Sequence, residues 1–351
     1  MTDTWRITAR GAVKQGPSPR DWHAGFDAAL DLWRQGTPRA ETSGSTGAPQ
    51  PHDFTAQAVR ASAESTAVHF GLKPQAGGAI HAWSALPPSG TGGRMMVWRA
   101  LVLGWELTVS PPSASPTVPP ADTADGRYHF AVATPMQAAH LLDSGQLPRF
   151  HTLLLGGAPV SASLEQRLIR AAGQAKMKLY HGFGMTETLT HIATRALGDP
   201  AYCTLPGIGI ATNEAGALVV HAPERGVHHL VTRDAIELRP MTNGADAQAF
   251  TWLGRLDDVI NSGGLNLHPS AIEAELGPRI SALIQGRRWY VAGRTDSRLG
   301  HRVALVLEGA EDTALEEAVM NAVRDMGLSR PRSVEFMALF EETNTGKVRR
   351  K

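Results

Sequence analysis

The sequence predicts an α/β fold: a large N-terminal domain of mainly parallel sheets flanked by helices, a small antiparallel, partly barrel-like unit, and a small α+β C-terminal domain. Three observations predict it. Between Phe130 and His181, apolar runs of four or five residues alternate with stretches of helical spacing, the pattern of parallel strands covered on both faces. After Thr190 the chain breaks into short strands and turns. Beyond residue 257 it becomes a compact mixture of strands and helices with no internal repeat.

Taken in order, residues 1–40 show little periodicity beyond one amphipathic helix at Asp21 to Trp33. Phe54 to Phe70 reads as a helix, with Ala58, Ala61, Ser65 and Val68 at three- and four-residue steps. His81 to Leu86 reads as a strand, Arg94 to Leu103 as a helix and Glu106 to Val109 as a strand. Ser110 to Ala124, dense in Pro, Ser and Ala, reads as a loop. Phe130 to Ala133 is the next strand. Thr134-Pro135 then supplies an N-cap followed by proline at the first helical position. His151 to Leu155, Ser161 to Ala172 and Lys176 to His181 continue as strand, helix and strand. Short strands follow at Ala217 to His221, His228 to Val231, Ile236 to Leu238 and Ala249 to Leu253. The last part carries helices near Ser270 to Leu276 and Thr313 to Met326, and strands at Trp289 to Ala292, Arg302 to Leu307 and Val334 to Leu339.

Composition narrows the function. The 42% hydrophobic and 19% charged residues are ordinary for a globular protein. The net charge of +1 gives no electrostatic reason for a nucleic-acid partner. No stretch approaches the roughly 18 apolar residues a membrane span needs, and the opening Met-Thr-Asp-Thr-Trp-Arg does not read as a secretory signal. The single cysteine, Cys203, excludes an internal disulfide. A cytoplasmic setting fits these features, and a homodimer stays open. The 14 histidines are scattered and form no metal-ligand motif.

Chemistry concentrates in five polar, glycine-punctuated segments: 42–49, 156–159, 180–187, 254–269 and 344–350. The first packs Thr42, Ser43, Gly44, Ser45, Thr46 and Gly47 into six positions. Such a run can wrap phosphate oxygens with N–H groups and hydroxyls, but its composition fits a flexible linker equally well. In open α/β sheets ligands bind past the carboxyl ends of the strands, where 156–159 and 182–187 are expected.

All five segments in this order resemble the adenylate-forming superfamily of acyl-CoA synthetases, luciferases and peptide-synthetase adenylation domains. Thr42–Pro49 is similar to its phosphate loop, and Gly156-Gly157-Ala158-Pro159 to its adenine-side turn. Gly184-Met185-Thr186-Glu187 resembles its G-x-T-E signature. Gly254-Arg255-Leu256-Asp257-Asp258 with Gly263-Gly264 resembles its hinge motif, and Asn344-Thr345-Gly346-Lys347 its terminal lysine motif. The resemblance implies a large domain over 1–256 and a mobile C-terminal domain over 257–351 that turns about Asp257. It implies ATP, Mg²⁺ and coenzyme A as cofactor and co-substrates. Thr186 would donate to the α-phosphate, and Glu187 would bind Mg²⁺. Asp234 and Arg255 would hold the ribose, and Lys347 would neutralise charge during adenylation.

Two departures stand out. Gln50 occupies the position where the family loop carries lysine, and Arg233 the position of a glycine before the ribose aspartate. Only 41 residues precede the loop, which resembles short o-succinylbenzoate–CoA ligases of menaquinone biosynthesis. Gly93-Arg94-Met95-Met96 followed by Arg99-Ala100-Leu101-Val102, and Val291-Ala292-Gly293 followed by Leu299-Gly300, support that likeness. It implies a small aromatic dicarboxylic acid as partner, with Arg94 the candidate cation for its unreacted carboxylate. Other aryl or medium-chain acyl-CoA synthetases, carrier-loading enzymes and an inactive nucleotide-binding homologue are the alternatives.

Overall fold

The computed structural model describes residues 4–8, 11–15, 21–41, 50–74, 78–240, 247–341 and 348. Contacts divide the chain into two units. The first comprises residues 1–211, 220–230 and 239–250, and the second 212–219, 231–238 and 251–351.

The first unit opens with a hairpin, β1 (Thr4–Thr8) and β2 (Gly11–Gln15), and α1 (Asp21–Arg34). Strands β3 (Arg39–Glu41) and β4 (Pro51–Asp53) pair with each other and lead to α2 (Ala56–His69), capped by the Thr55 hydroxyl. Next come β5 (His81–Ser84), α3 (Thr91–Leu103), β6 (Glu106–Val109) and β7 (Tyr128–Ala133). The Thr134-Pro135 signal is realised as a full capping box, Gln137 answering Thr134 at the start of α4 (Pro135–Asp143). The unit continues with β8 (Phe150–Leu155), α5 (Ala162–Ala175), β9 (Lys178–Met185), β10 (Thr190–Ala196) and β11 (Tyr202–Thr204).

Strands β6, β5, β7, β8 and β9 lie side by side and parallel. Antiparallel strands extend both edges, β10 and β11 beyond β9, and β1 and β2 beyond β6. Trp5 pairs with Val109, and β1 and β2 cover an edge of β6 that would otherwise expose unpaired backbone groups. Helices cover both faces. On one, Phe26, Ala29 and Leu30 of α1 pack with Met95 and Trp98 of α3 over Phe130. The Trp98 indole N–H donates to the Ala29 carbonyl at 2.9 Å. On the other, Leu141 and Leu168 cover Trp83, Tyr128, Phe150 and Leu153.

Helix α3 starts at Thr91, three residues before the sequence places it, although Gly92 and Gly93 follow at once. A Cβ on Gly93 would lie 2.2 Å from the Pro87 carbonyl oxygen, so only glycine lets the helix begin there. Strand β9 also runs further than expected, through Met185.

Four strands are divided between the units: β12 (Gly209–Thr212), β13 (Ala217–Ala222), β14 (Val227–Arg239) and β15 (Ala249–Arg255). The two strands expected at 228–231 and 236–238 are one continuous strand, β14. Wholly within the second unit are β16 (Ile260–Ser262), β17 (Leu265–Leu267), α6 (Pro269–Ile280), β18 (Trp289–Asp296), β19 (Gly300–Glu308), α7 (Thr313–Ala322) and β20 (Ser333–Met337). Its sheet order is β17-β16-β19-β18, with β20 parallel to β19. Ile272, Leu276, Ile280 and Val319 of its helices bury against Val291, Leu305 and Leu307.

Candidate nucleotide site

The G-M-T-E segment is a hairpin end, not a free loop. Gly184 pairs with His191 and Met185 with Thr190. A Cβ on Gly184 would sit 2.0 Å from the Thr190 carbonyl oxygen, so the hairpin closes only with glycine at that position. The turn is strained: Leu189 and Thr190 hold φ of 54° and 80° without being glycine. Such conformations persist only where surroundings over-determine them, and the bracing is visible. Thr188 Oγ1 accepts from the Met185 N–H at 3.2 Å and donates to the Thr190 carbonyl at 2.9 Å. Ser62 donates to the Leu189 carbonyl at 3.1 Å. Arg225 donates to the carbonyls of Thr188 and His191 at 3.2 and 3.1 Å.

This bracing presents Thr186 and Glu187, both half-buried, on the turn. The Thr186 hydroxyl lies 3.0 Å from that of Thr91, which in turn donates to the Glu41 carbonyl at 3.1 Å. Among the described residues, the Glu187 carboxylate has no hydrogen-bond partner, which suits a group expected to meet a cation.

The Gly156–Pro159 turn follows β8, at the carboxyl end of the parallel strands. Gly157 holds φ of 83° there. The Ala158 carbonyl lies 3.0 Å from His181 Nε2, and the Tyr202 hydroxyl 2.7 Å from His181 Nδ1. A neutral ring that donates from Nε2 and accepts at Nδ1 satisfies both. Burial favours that neutral form by pushing the His181 pKa down.

Arg94, the candidate cation for a substrate carboxylate, meets backbone carbonyls. Its side chain is buried, its Nε donates to the Pro88 carbonyl at 3.3 Å, and Nη1 donates to the Arg39 carbonyl. The hydrogen bond to the Arg39 carbonyl fastens α3 to β3.

A different arginine carries the unanswered charge. Arg99 is 1% exposed. Its Nη2 donates to Thr190 Oγ1 at 2.8 Å, and its Nε has no partner. Among the described residues no carboxylate pairs with it. Burial, with the neighbouring Arg225 guanidinium, pushes its pKa down to about 9, so it stays charged at neutral pH. Arg225, itself brought down to about 10 by burial, also has an unpartnered Nη2. His191 lies between hydrogen-bonding groups, 3.4 Å from both Arg99 Nη2 and Thr66 Oγ1. Burial first, then Arg99 and Arg225, hold it neutral. In the sequence Arg99 enters only as part of the Arg99-Ala100-Leu101-Val102 stretch, with no role of its own. Its signal was a lone cation inside Met95-Met96-Val97-Trp98-Arg99-Ala100-Leu101-Val102.

In the second unit, Asp234 accepts from the Trp252 indole N–H at 2.9 Å. Asp257 accepts from Arg233 at 3.0 Å and from Arg255 at 3.3 Å. The hydrogen bond from Arg233 is the main reason its carboxyl lies below the usual range. The phosphate-loop residues Thr42, Ser43, Gly44, Ser45, Thr46 and Gly47, and the terminal Lys347, lie outside the described residues. Among the described residues no cluster of His, Cys, Asp or Glu could hold a metal ion by itself, and no helix is long and apolar enough to cross a membrane.

Residues 42–229 match the family model described as AMP-binding enzyme. A probable 2-succinylbenzoate–CoA ligase from Mycobacterium tuberculosis is 27% identical over 335 residues, covering 88% of this chain and 81% of the relative. A crystal structure of an acyl-CoA synthetase (AMP-forming)/AMP-acid ligase II-like protein from Dyadobacter fermentans is 30% identical. It covers 98% of this chain and 97% of its own, with a TM-score of 0.61. The O-succinylbenzoate coenzyme A synthetase from Bacillus subtilis, solved with ATP and a magnesium ion, shares the fold with a TM-score of 0.68 at 18% identity, over 89% of this chain and 68% of the other. The chain belongs to the AMP-binding enzyme family and has the character of its AMP-forming acid–CoA ligases.

Proposed function

We propose that the protein is an ATP- and Mg²⁺-dependent ligase that converts o-succinylbenzoate to its coenzyme A thioester. In the first half-reaction the acid's carboxylate oxygen bonds to the α-phosphorus as the bond to pyrophosphate breaks. In the second, the coenzyme A thiol gives up its proton, its sulfur bonds to the acyl carbon, and AMP leaves. An anion attacking a polyanion needs positive charge and donors in place beforehand. Thr186 supplies a hydroxyl at the α-phosphate, Lys347 an ammonium, and Asp234 with Arg255 hold the ribose. Glu187 would hold Mg²⁺, which offsets phosphate charge when bound. Residues 257–351 act as the domain that turns about Asp257 between the half-reactions.

One observation carries the choice of a dicarboxylic acid: Arg99 is a buried cation with an unpartnered N–H and no acidic neighbour among the described residues. Burying such a charge is costly unless a partner arrives, and the second carboxylate of o-succinylbenzoate is that partner. The relatives named for this acid support the same reading.

Pyrophosphate exchange into ATP across a panel of acids tests it. Exchange should be fastest with o-succinylbenzoate and depend on Mg²⁺. Exchange with benzoates or fatty acids but not with o-succinylbenzoate would overturn the substrate. No exchange with any acid would leave only nucleotide binding.

A further inference from the structure

We infer that Thr91 is a positioning residue that sets the rotamer and proton of the Thr186 hydroxyl, and the inference rests on the ligase reading above. Thr91 opens α3, half-buried, with its Oγ1 within hydrogen-bond reach of two groups. One is the Glu41 carbonyl at 3.1 Å, the other Thr186 Oγ1 at 3.0 Å. A carbonyl only accepts, so Thr91 spends its one proton on Glu41. The second contact is then a hydrogen bond only if Thr186 donates to Thr91. The direction of the chain is thereby fixed: Thr186 to Thr91 to Glu41.

Two consequences follow for Thr186. Its χ1 is selected, because a threonine hydroxyl pointed elsewhere loses the only side-chain acceptor the described residues offer it. Its proton is also committed, so a phosphate oxygen receives it by exchanging with one defined neighbour rather than with bulk water. Only the Thr186 oxygen is placed in advance; as charge develops, its O–H has a single swing to make, from Thr91 to the phosphate.

The same turn of α3 fastens the far end of the chain. Thr91 and Arg94 lie three residues apart on one face, and they take the carbonyls of Glu41 and Arg39, two residues apart on β3. Arg94 thus holds β3 against α3, and Thr91 converts that fixed carbonyl into a fixed acceptor for Thr186. The sequence offers no hint of this, since Gly90-Thr91-Gly92-Gly93 reads as a polar break.

The test compares Thr91→Val, Thr91→Ser, Thr186→Ala and the double variant Thr91→Val/Thr186→Ala in Mg²⁺-dependent pyrophosphate exchange. Removing the hydroxyl should lower the exchange kcat about tenfold, the scale of one hydrogen bond, with the KM for ATP within about twofold. Thr91→Ser should restore the rate. The double variant should be no slower than Thr186→Ala alone, because both changes remove one chain. Thr91→Val with wild-type kinetics, or losses that multiply in the double variant, would overturn the assignment. Should Thr91→Val fail to fold, Thr91→Ala carries the same comparison. Wild-type protein that exchanges with no acid sinks the ligase reading itself, whereas an active wild type indifferent to Thr91 sinks only this inference.

Discussion

Arg233 donates to Asp257 Oδ2 at 3.0 Å, so the residue that replaces a family glycine grips the residue expected to act as the hinge. The pair is exposed, with 71% and 42% of its side-chain surfaces open to solvent, and contributes at most about 1 kcal/mol to stability. Its effect should therefore appear in motion. Arg233→Gly is expected to leave the melting temperature within about 2 °C and adenylation unchanged. Thioester formation should shift at least about threefold, because the turning step loses a restraint. Stopped-flow measurement of the two half-reactions decides this, and identical half-reaction rates would separate Asp257 from the turning step.

Gly184→Ala should be the most damaging single methyl in the first unit. Its Cβ would lie 2.0 Å from the Thr190 carbonyl oxygen, where only backbone displacement relieves the clash. Loss of about 2 kcal/mol or more is expected, with activity falling further than stability because the turn carrying Thr186 opens. Urea denaturation with parallel pyrophosphate exchange measures both.

Arg99→Met should separate stability from function. A buried cation with no acid beside it is a net cost to the fold, so the variant should melt at the same or a higher temperature. The KM for dicarboxylic acids should rise at least about thirtyfold, since truncating one partner of a buried charge pair typically costs about 2–5 kcal/mol. Monocarboxylic acids should be little affected. A general loss of activity across all acids would refute the assignment.

Glu165 on α5 and Arg195 on β10 form a two-pronged pair at 2.6 and 2.9 Å, with only 16% and 14% of their side chains exposed. Burial alone would raise the Glu165 carboxyl. Hydrogen bonds from Arg195 and the Gly198 N–H outweigh it, so the folded-state pKa lies below the ordinary 4.5. A depressed carboxyl contributes stability that is present above its unfolded value and lost as pH falls through the folded value. Wild type should therefore lose stability progressively below about pH 4.5. Glu165→Gln should cost about 3 kcal/mol at neutral pH and flatten that acid limb. Melting curves from pH 3 to 7 report both effects.

Much of the first unit was legible because its signals are local. The strand at Glu106–Val109 and the cap at Thr134-Pro135 need only alternation, proline geometry and one side-chain hydrogen bond. β1, β2 and β10 were not legible. Thr190–Ala196 is short and mixed in polarity, and it becomes a strand because β9 offers it an edge. Strands β1 and β2 are settled in the same way by the free side of β6.

The α/β class and the order of the polar segments were legible in the sequence, because they rest on periodicity and on residues close together in the chain, whereas Thr186, Glu187, Asp234 and Asp257 are named by the family resemblance those segments carry. The tertiary structure decided which acceptors each charge meets. Arg94 and Arg99 are five residues apart on one helix and look alike as sequence. One meets backbone carbonyls 6 and 55 positions away, and the other is buried beside Thr190 with an N–H left open. A cation's role depends on which acceptors surround it once water is gone, and those acceptors arrive from distant parts of the chain.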